Sequence, residues 1–224
     1  MRLNIWKAII VTLLFYLLSE ILGLLLLLTL FCDDSISCNL WGDSLISLAY
    51  NFLLFLFVYY YLKKSKILEE ITLIGAKWQY ISLAVALGIV FVYLQDLLNS
   101  FYDILFSSSP INDSAVEKLN FEFYRLPKLF TRSLIIPIIH ELFFRGFILK
   151  ELNKSYGGII ALLISSSLFA LIHVDFHSIY ITFFGGIIAG MIYLKTEKLL
   201  YPILFHIAWN LVIAFDKFID IPLL

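Results

Sequence analysis

Histidine, glutamate, arginine and asparagine interrupt three successive apolar stretches of this sequence. The first pattern is HELFFR at residues 140–145, the second is FALIH at 169–173, and the third is HIAWN at 206–210. Burying an ionisable side chain in lipid is costly, so each interruption is a candidate functional site. Glutamate and histidine can activate a water molecule, and histidine with asparagine can stabilise an oxyanion. The set therefore indicates hydrolytic chemistry inside a membrane.

Helical spacing pairs the polar residues of the first pattern. Glu141 and Arg145 are four residues apart, so on a helix they share one face and can form an ion pair. The structural alternative is an ion pair that only locks this helix to its neighbours. His140 lies about 100° around the helix from Glu141, which predicts that only one of the two aims straight at a given site.

The other two patterns have the same spacing. Phe169 and His173 are four residues apart, as are His206 and Asn210, so each pair shares a helix face. His173 could equally be an interfacial histidine, and His206 with Asn210 could be a polar contact between helices. The presence of all three patterns in adjacent spans favours one shared site.

The elements that position these residues are predicted to be membrane helices. The chain of 224 residues is 62% hydrophobic, has a mean hydropathy of +0.95 and carries a net charge of −1. A soluble domain is about half apolar, and this chain has no basic patch for nucleic acid. A span needs about 20 apolar residues. The seven candidate spans are residues 8–31, 45–62, 80–104, 129–152, 157–173, 179–194 and 199–215.

The predicted fold class is all-α, a polytopic membrane helix bundle of about seven spans with a four-span C-terminal core. A turn-rich break, SSSPINDS at 107–114, separates its parts. Residues 1–106 form the N-terminal three-span part, 107–128 an extramembrane loop in which 115–125 can form an amphipathic helix, and 129–224 the core. Small residues at Gly185, Gly186 and Gly190 predict close helix packing rather than a ligand loop.

The distribution of basic residues predicts the orientation in the membrane, because Lys and Arg concentrate on the cytoplasmic side. With seven spans, ten of them fall on the N-terminal side, namely Arg2, Lys7, Lys63, Lys64, Lys66, Lys77, Lys150, Lys154, Lys195 and Lys198. The opposite side has Lys118, Arg125, Lys128, Arg132 and Lys217. The N-terminus is therefore expected in the cytoplasm. Cys32 and Cys38 then lie outside, as a disulfide or as two free thiols.

The three patterns resemble those of the CPBP or Abi family. This family comprises CAAX prenyl proteases and bacteriocin-processing enzymes, which are intramembrane glutamic-type peptidases. Its first pattern is Glu-Glu-x-x-x-Arg, often followed by Gly, its second is Phe-x-x-x-His, and its third is His-x-x-x-Asn or Asp. Order and spacing agree over residues 137–210, and Arg145-Gly146 fits the end of the first pattern.

The resemblance implies a role for each matching residue. The family's first Glu, helped by the His of the second pattern, activates the attacking water, and His173 holds that second position. The His and Asn of the third pattern hold the oxyanion, which implies this role for His206 and Asn210. Glu141, Arg145 and Phe169 take supporting positions.

His140 stands where the family has its first Glu, and three alternatives follow. The site can work with His140 or Glu141 as the general base, because a neutral imidazole can accept a proton. Alternatively the site is inactive, and the fold serves binding or regulation. In the third alternative, the three histidines and Glu141 bind a metal such as zinc. The spacing is not His-Glu-x-x-His, so we expect no cofactor.

The function predicted from these observations is an intramembrane peptidase that hydrolyses a membrane-proximal peptide with an activated water. The alternative is a non-catalytic protein of the same fold, in bacteriocin self-immunity or as a scaffold or regulator of a membrane-protein partner. The expected partners are a peptide or protein substrate and the lipid bilayer, with no nucleic acid. The expected location is a bacterial cell membrane.

Overall fold

The structure, a computed structural model, describes residues 4–29, 51–56, 59–60, 75–106, 130–173 and 176–219. Every regular element within these ranges is helical, and they contain no strand, so the all-α prediction is confirmed. The predicted amphipathic helix at 115–125 and both cysteines lie outside these ranges, as does most of the predicted span 45–62. Within that span residues 51–56 are helical.

Seven α-helices have defined bounds. They are α1 (Ile5–Thr29), α2 (Trp78–Phe106), α3 (Ile136–Phe143), α4 (Lys150–Tyr156), α5 (Gly158–Leu171), α6 (Phe176–Thr196) and α7 (Leu200–Ile219). Wider π-helical turns, Thr131–Ile135 and Phe144–Leu149, precede α3 and join it to α4. We call the resulting continuous stretch, Thr131–Tyr156, the split helix.

Two of the described helices contain a segment long and apolar enough to cross a membrane, Trp78–Phe101 in α2 and Ile179–Thr196 in α6. Shorter apolar segments are Ile5–Leu18, Gly158–Leu171 and Leu200–Phe215. The seven-span count therefore stays a prediction. Large apolar side chains cover the outer surface of these helices, and Trp78 and Ile159 are more than three-quarters exposed. Such a surface is typical of contact with lipid or with another protein.

The split helix is the centre of one apolar cluster. Phe143, Phe144 and Ile148 are fully buried there, together with Phe169 of α5. From α1, the ring of Phe15 meets the ring of Phe143 edge-on at 5.8 Å. The helix that carries the first polar pattern is thus enclosed by apolar side chains from two neighbours.

A second apolar cluster joins α2 to α7. The ring of Phe91 on α2 lies 4.8 Å from the ring of Trp209 and 5.8 Å from that of Phe205. Gly88 lets the two backbones approach, because a Cβ there would lie 2.4 Å from the carbonyl oxygen of Phe205. This close approach fixes α7, and with it the third polar pattern, against α2.

The glycines of α6 provide the close packing that the sequence predicts. A Cβ at Gly185 would lie 2.7 Å from the Trp209 ring, and one at Gly190 would lie 2.3 Å from Leu162. A Cβ at Gly186 would lie 3.1 Å from the Cβ of Ser166. The prediction of a packing surface is confirmed, and α6 consequently fits against both α5 and α7.

Candidate functional site

The split helix positions the first polar pattern. Pro137 stands in the first turn of α3, directly after the π-helical turns Thr131–Ile135, and has no N–H to donate to a carbonyl of those turns. Glu141 lies near the end of α3, and Arg145 lies in the π-helical turns that follow. Single π-helical turns within α-helices often occur at functional sites. The change of helix type falls between the acid and the base of the pattern.

Glu141 is the centre of a buried ionic network. Its Oε1 accepts hydrogen bonds from Nη1 of Arg145 at 3.1 Å and from Nδ1 of His206 at 2.8 Å. Glu141 and Arg145 are 0% and 1% exposed, and His206 is 4% exposed. The predicted ion pair between Glu141 and Arg145 is therefore confirmed, and His206 of α7 completes it. The other oxygen, Oε2, is buried and has no hydrogen-bond partner among the residues that the structure describes.

Arg145 connects this network to two further helices. Its Nη2 donates a hydrogen bond to the backbone oxygen of Gly186 on α6 at 2.8 Å. The guanidinium carbon lies 4.7 Å from the ring centroid of Phe169 on α5, a cation–π distance. A charge inside a bundle needs several such partners, because bulk water does not reach it. Arg145 thus fixes α5 and α6 relative to Glu141.

His140 lies among the other aromatic rings of the site. Its ring centroid is 5.6 Å from that of His173, 6.1 Å from that of His206 and 5.8 Å from that of Phe169. Both His140 and Glu141 therefore lie beside His206, although the helical spacing predicts that only one of them aims at a given site. The imidazole of His206 is large enough for the two neighbours to reach it from different directions.

His173 follows the last turn of α5 and is partly exposed. Its Nδ1 bonds the backbone oxygen of Phe169 at 2.9 Å. A carbonyl oxygen only accepts, so Nδ1 carries a proton, and Nε2 of the neutral ring holds the lone pair. The second pattern thus fixes both the orientation and the tautomer of an imidazole that can accept a proton.

Asn210 lies one turn beyond His206 on α7 and is oriented by the split helix. Its Nδ2 donates to the backbone oxygen of Arg132 at 3.1 Å. The π-helical turns Thr131–Ile135 pack beside α7 and bring that carbonyl within reach. The structure therefore brings His140, Glu141, Arg145, Phe169, His173 and His206 together, while one amide hydrogen of Asn210 is bonded to a neighbouring backbone. We call these six residues the polar cluster.

A comparison with known protein families matches the stretch of chain that carries the three polar patterns. Residues 122–212 match the sequence profile of the family described as Type II CAAX prenyl endopeptidase Rce1-like. The membrane-embedded CAAX protease MroQ of Staphylococcus aureus (strain USA300) is 38% identical over 88 residues, which are 37% of this chain and 36% of the relative. Both matches support membership of residues 122–212 in the CPBP/Abi family, and they indicate an integral membrane protein.

Each match covers less than half of the chain. The chain covers about a third of the length of the Staphylococcus relative. No solved structure matches the chain. Within residues 122–212, the three polar patterns stand in the order that the resemblance implies, and the departure at His140 falls inside the polar cluster.

Two contacts of this candidate site are not predicted by the three patterns. Ser165 of α5 donates its hydroxyl hydrogen to the backbone oxygen of Phe144 at 2.9 Å, at the start of the π-helical turns. Gly186 provides the carbonyl that Arg145 bonds. A run of three serines inside an apolar span, at residues 165–167, is the signal that could have drawn attention to Ser165.

The metal alternative gains no support from the geometry. Over the described ranges, no group of three or more His, Cys, Asp or Glu side chains is placed to hold a metal ion. The imidazoles of His140, His173 and His206 each meet the ring of Phe169 in an edge contact, and His140 meets His173 in the same way.

Proposed function

We propose that the protein is a membrane-embedded endopeptidase that hydrolyses a peptide bond near the membrane surface with an activated water. The observation that carries this proposal is the polar cluster itself. A carboxylate held by Arg145 and His206 lies beside two further imidazoles, His140 and His173. Such a set can remove a proton from water and stabilise the charge that develops on the attacked carbonyl oxygen.

In this proposal His173 is a base that activates the water, together with His140. The hydrogen bond to Phe169 keeps a lone pair on Nε2 of His173. The ring centroids of His140 and His173 are 5.6 Å apart, close enough for one water to bond both imidazoles. The water attacks the scissile carbonyl directly, and the proton that it loses is later delivered to the leaving amine, so no covalent intermediate forms.

The remaining residues orient these groups and receive the oxyanion. Glu141 holds Nδ1 of His206 in its protonated form, because a carboxylate oxygen accepts the hydrogen bond. In this proposal His206 and Asn210, one turn apart on α7, hold the oxyanion, and the second amide hydrogen of Asn210 is a donor to it. Arg145 neutralises Glu141 and stays with it throughout.

A cleavage assay tests this proposal. Wild-type protein, reconstituted in liposomes, is mixed with fluorogenic peptides whose scissile bond lies next to an apolar anchor. His173→Ala is expected to lower kcat about 10²- to 10⁴-fold, the range for loss of a general base. Glu151→Gln is the control, because Glu151 is also buried and ion-paired, with Lys154, but lies outside the polar cluster. Cleavage that is equally fast in His173→Ala would contradict the proposal.

A non-catalytic role is the second candidate function, and two observations favour it. His140 replaces the family's first glutamate, and His140, Glu141 and His206 are each at most 5% exposed, so these three side chains are closed to bulk water. The protein would then act as a binding partner of another membrane protein, for example in bacteriocin self-immunity. His140→Glu separates the two functions: cleavage by this variant, but not by the wild type, would identify an inactive protease fold.

We further propose seven spans with the N-terminus in the cytoplasm, and a division at 107–128 between a three-span part and the four-span core. The support is the excess of Lys and Arg on one side of the predicted spans. Alkaline phosphatase fusions after residues 35, 112 and 176 are expected to be active, and fusions after 70, 154 and 197 inactive. The reversed pattern would contradict the orientation.

A further inference from the structure

A small apolar crevice lies between α2, α6 and α7, and none of the residues that line it belongs to the polar cluster. One wall is a stripe on α2 formed by Tyr80, Leu83, Ala84 and Leu87. Ile192 of α6 and Tyr201 of α7 form the facing walls, and the cavity volume is about 60 Å³. A water-sized group needs roughly 10–15 Å³ on this measure, so the crevice has room for about four to six methylene-sized groups.

Lysines surround the end of this crevice. Lys195 lines it directly. The Lys77 ammonium lies 5.9 Å from the ring centroid of Tyr80, and the Lys77 backbone N–H donates to the Tyr201 hydroxyl at 2.9 Å. Two cations from two chain segments, Lys77 and Lys195, therefore lie at the crevice where α2 begins and α6 ends.

Among the described residues at this place, the acidic side chain in the same turn as Lys195 is that of Glu197, and it is exposed. The backbone of Glu197 has a φ of 53°, which turns the chain sharply between α6 and α7, two residues after Lys195. An occupant that matches this site needs a negatively charged head and a hydrocarbon chain.

We propose that the crevice binds an anionic phospholipid. The phosphate lies among the lysine ammonium groups, and the first methylenes of one acyl chain enter the crevice. Basic residues between membrane helices recognise anionic headgroups in this way, and each lysine near the surface contributes about a fivefold gain in binding. The surrounding bilayer supplies this ligand at high concentration, and the apolar walls favour a lipid over a free phosphate. This inference is independent of the proposed peptidase activity.

Lipid binding is measured by native mass spectrometry of the full chain in maltoside detergent. The probes are phosphatidylglycerol, phosphatidylcholine and water-soluble glycerol 3-phosphate. The wild type is expected to retain one phosphatidylglycerol far more strongly than either other probe. The double variant Lys77→Gln/Lys195→Gln is expected to bind it about 30-fold more weakly, since each lysine accounts for about a fivefold effect.

The matched control is Lys150→Gln/Lys154→Gln, which removes two lysines from α4, outside the crevice. Unchanged binding in this control, with loss in the crevice variant, supports the site. An equal loss in both variants would show only a general charge effect and overturn the proposal. Equal retention of phosphatidylcholine would overturn the recognition of charge. Equal binding of glycerol 3-phosphate would overturn the lipid as the ligand. A thermal unfolding curve for each variant confirms that it is folded.

Discussion

Helix α7 contacts two neighbours through opposite chemistry. On one face, His206 bonds the carboxylate of Glu141, which is also ion-paired with Arg145. On the other face, Phe205 and Trp209 pack against α2, where the polar contact described is a hydrogen bond from Nε1 of Trp209 to Oε1 of Gln95 at 2.9 Å. One helix thus joins a charged network to an interface of aromatic rings and close backbones.

The two faces of α7 differ in the interactions that they need for stability in an apolar solvent. The aromatic face needs only shape, because lipid and protein are equally apolar there. The charged face needs every partner at once, because removal of one leaves another charge buried and uncompensated. Substitutions on the charged face should therefore lower the free energy of unfolding more than substitutions of similar size on the aromatic face. They should also lower the rate of the proposed cleavage reaction.

The largest expected effect is that of Glu141→Gln. The substitution keeps the size of the side chain but leaves Arg145 buried at 1% exposure without its counterion. We expect a loss of about 3–5 kcal/mol in the free energy of unfolding, the range for a broken buried pair. Denaturant titration in mixed micelles measures it.

The control for this prediction is Glu151→Gln in the same split helix. Glu151 pairs with Lys154, whose side chain is 55% exposed, so the remaining cation stays hydrated. We expect a change of less than about 1 kcal/mol, as for surface pairs. If the two variants lose equal stability, the polar cluster contributes no more to stability than an interfacial ion pair does. The proposed difference between the two faces of α7 would then be wrong.

The second effect concerns the aromatic face. In Gly88→Ala, the new methyl group would lie 2.4 Å from the backbone oxygen of Phe205 and 2.9 Å from the Cβ of Ala208. A backbone atom cannot move aside as a side chain can, so α2 and α7 must separate. We expect a loss of about 1–3 kcal/mol, typical of overpacking, measured by the same titration.

Gly158→Ala is the matched substitution for Gly88→Ala. Its methyl group would meet Leu194 at 3.5 Å, an ordinary contact. A gain of up to about 1 kcal/mol is expected, because alanine favours a helix more than glycine does. Equal losses at both positions would mean that helix flexibility, rather than close approach, explains the presence of these glycines.

Local spacing explains which contacts could be predicted from the sequence. The pair of Glu141 and Arg145 and the glycine surface of α6 both follow from helical periodicity, and the structure contains both. Contacts between distant segments depend on the relative shift and rotation of helices. The bonds from His206 to Glu141 and from Arg145 to Gly186 are of this kind, and no local pattern specifies them.

The π-helical turns are the other feature that spacing could not predict. A periodicity of 100° per residue assumes an α-helix, and the split helix departs from it at Thr131–Ile135 and Phe144–Leu149. The first departure brings the carbonyl of Arg132 to Asn210, which the sequence associates only with His206. The role of each cluster residue stays a prediction until cleavage is measured.

A smaller effect is expected from Ser165→Ala. The hydroxyl of Ser165 bonds the carbonyl of Phe144, where α3 gives way to π-helical turns, so its loss should loosen the segment between Glu141 and Arg145. We expect a loss of about 1 kcal/mol, typical of one hydrogen bond.

Ser166→Ala is the neighbouring control. Over the described residues, the Ser166 hydroxyl is buried and has no hydrogen-bond partner. Its removal should be neutral or stabilising. The opposite order would show that the bond to Phe144 does not support the cluster.

The smallest expected effect belongs to the hydrogen bond between Gln95 and Trp209. A double-mutant cycle with Gln95→Leu and Trp209→Phe isolates this bond from the packing of the rings. Hydrogen bonds between membrane helices couple by about 0.6 kcal/mol on average, because either group finds other partners when the bond is removed. A coupling free energy above about 2 kcal/mol would mean that this neutral hydrogen bond depends on both partners as strongly as the ion pairs of the charged face do. The two faces of α7 would then differ in charge but not in cooperativity, and the position of His206 would depend on α2 as much as on Glu141.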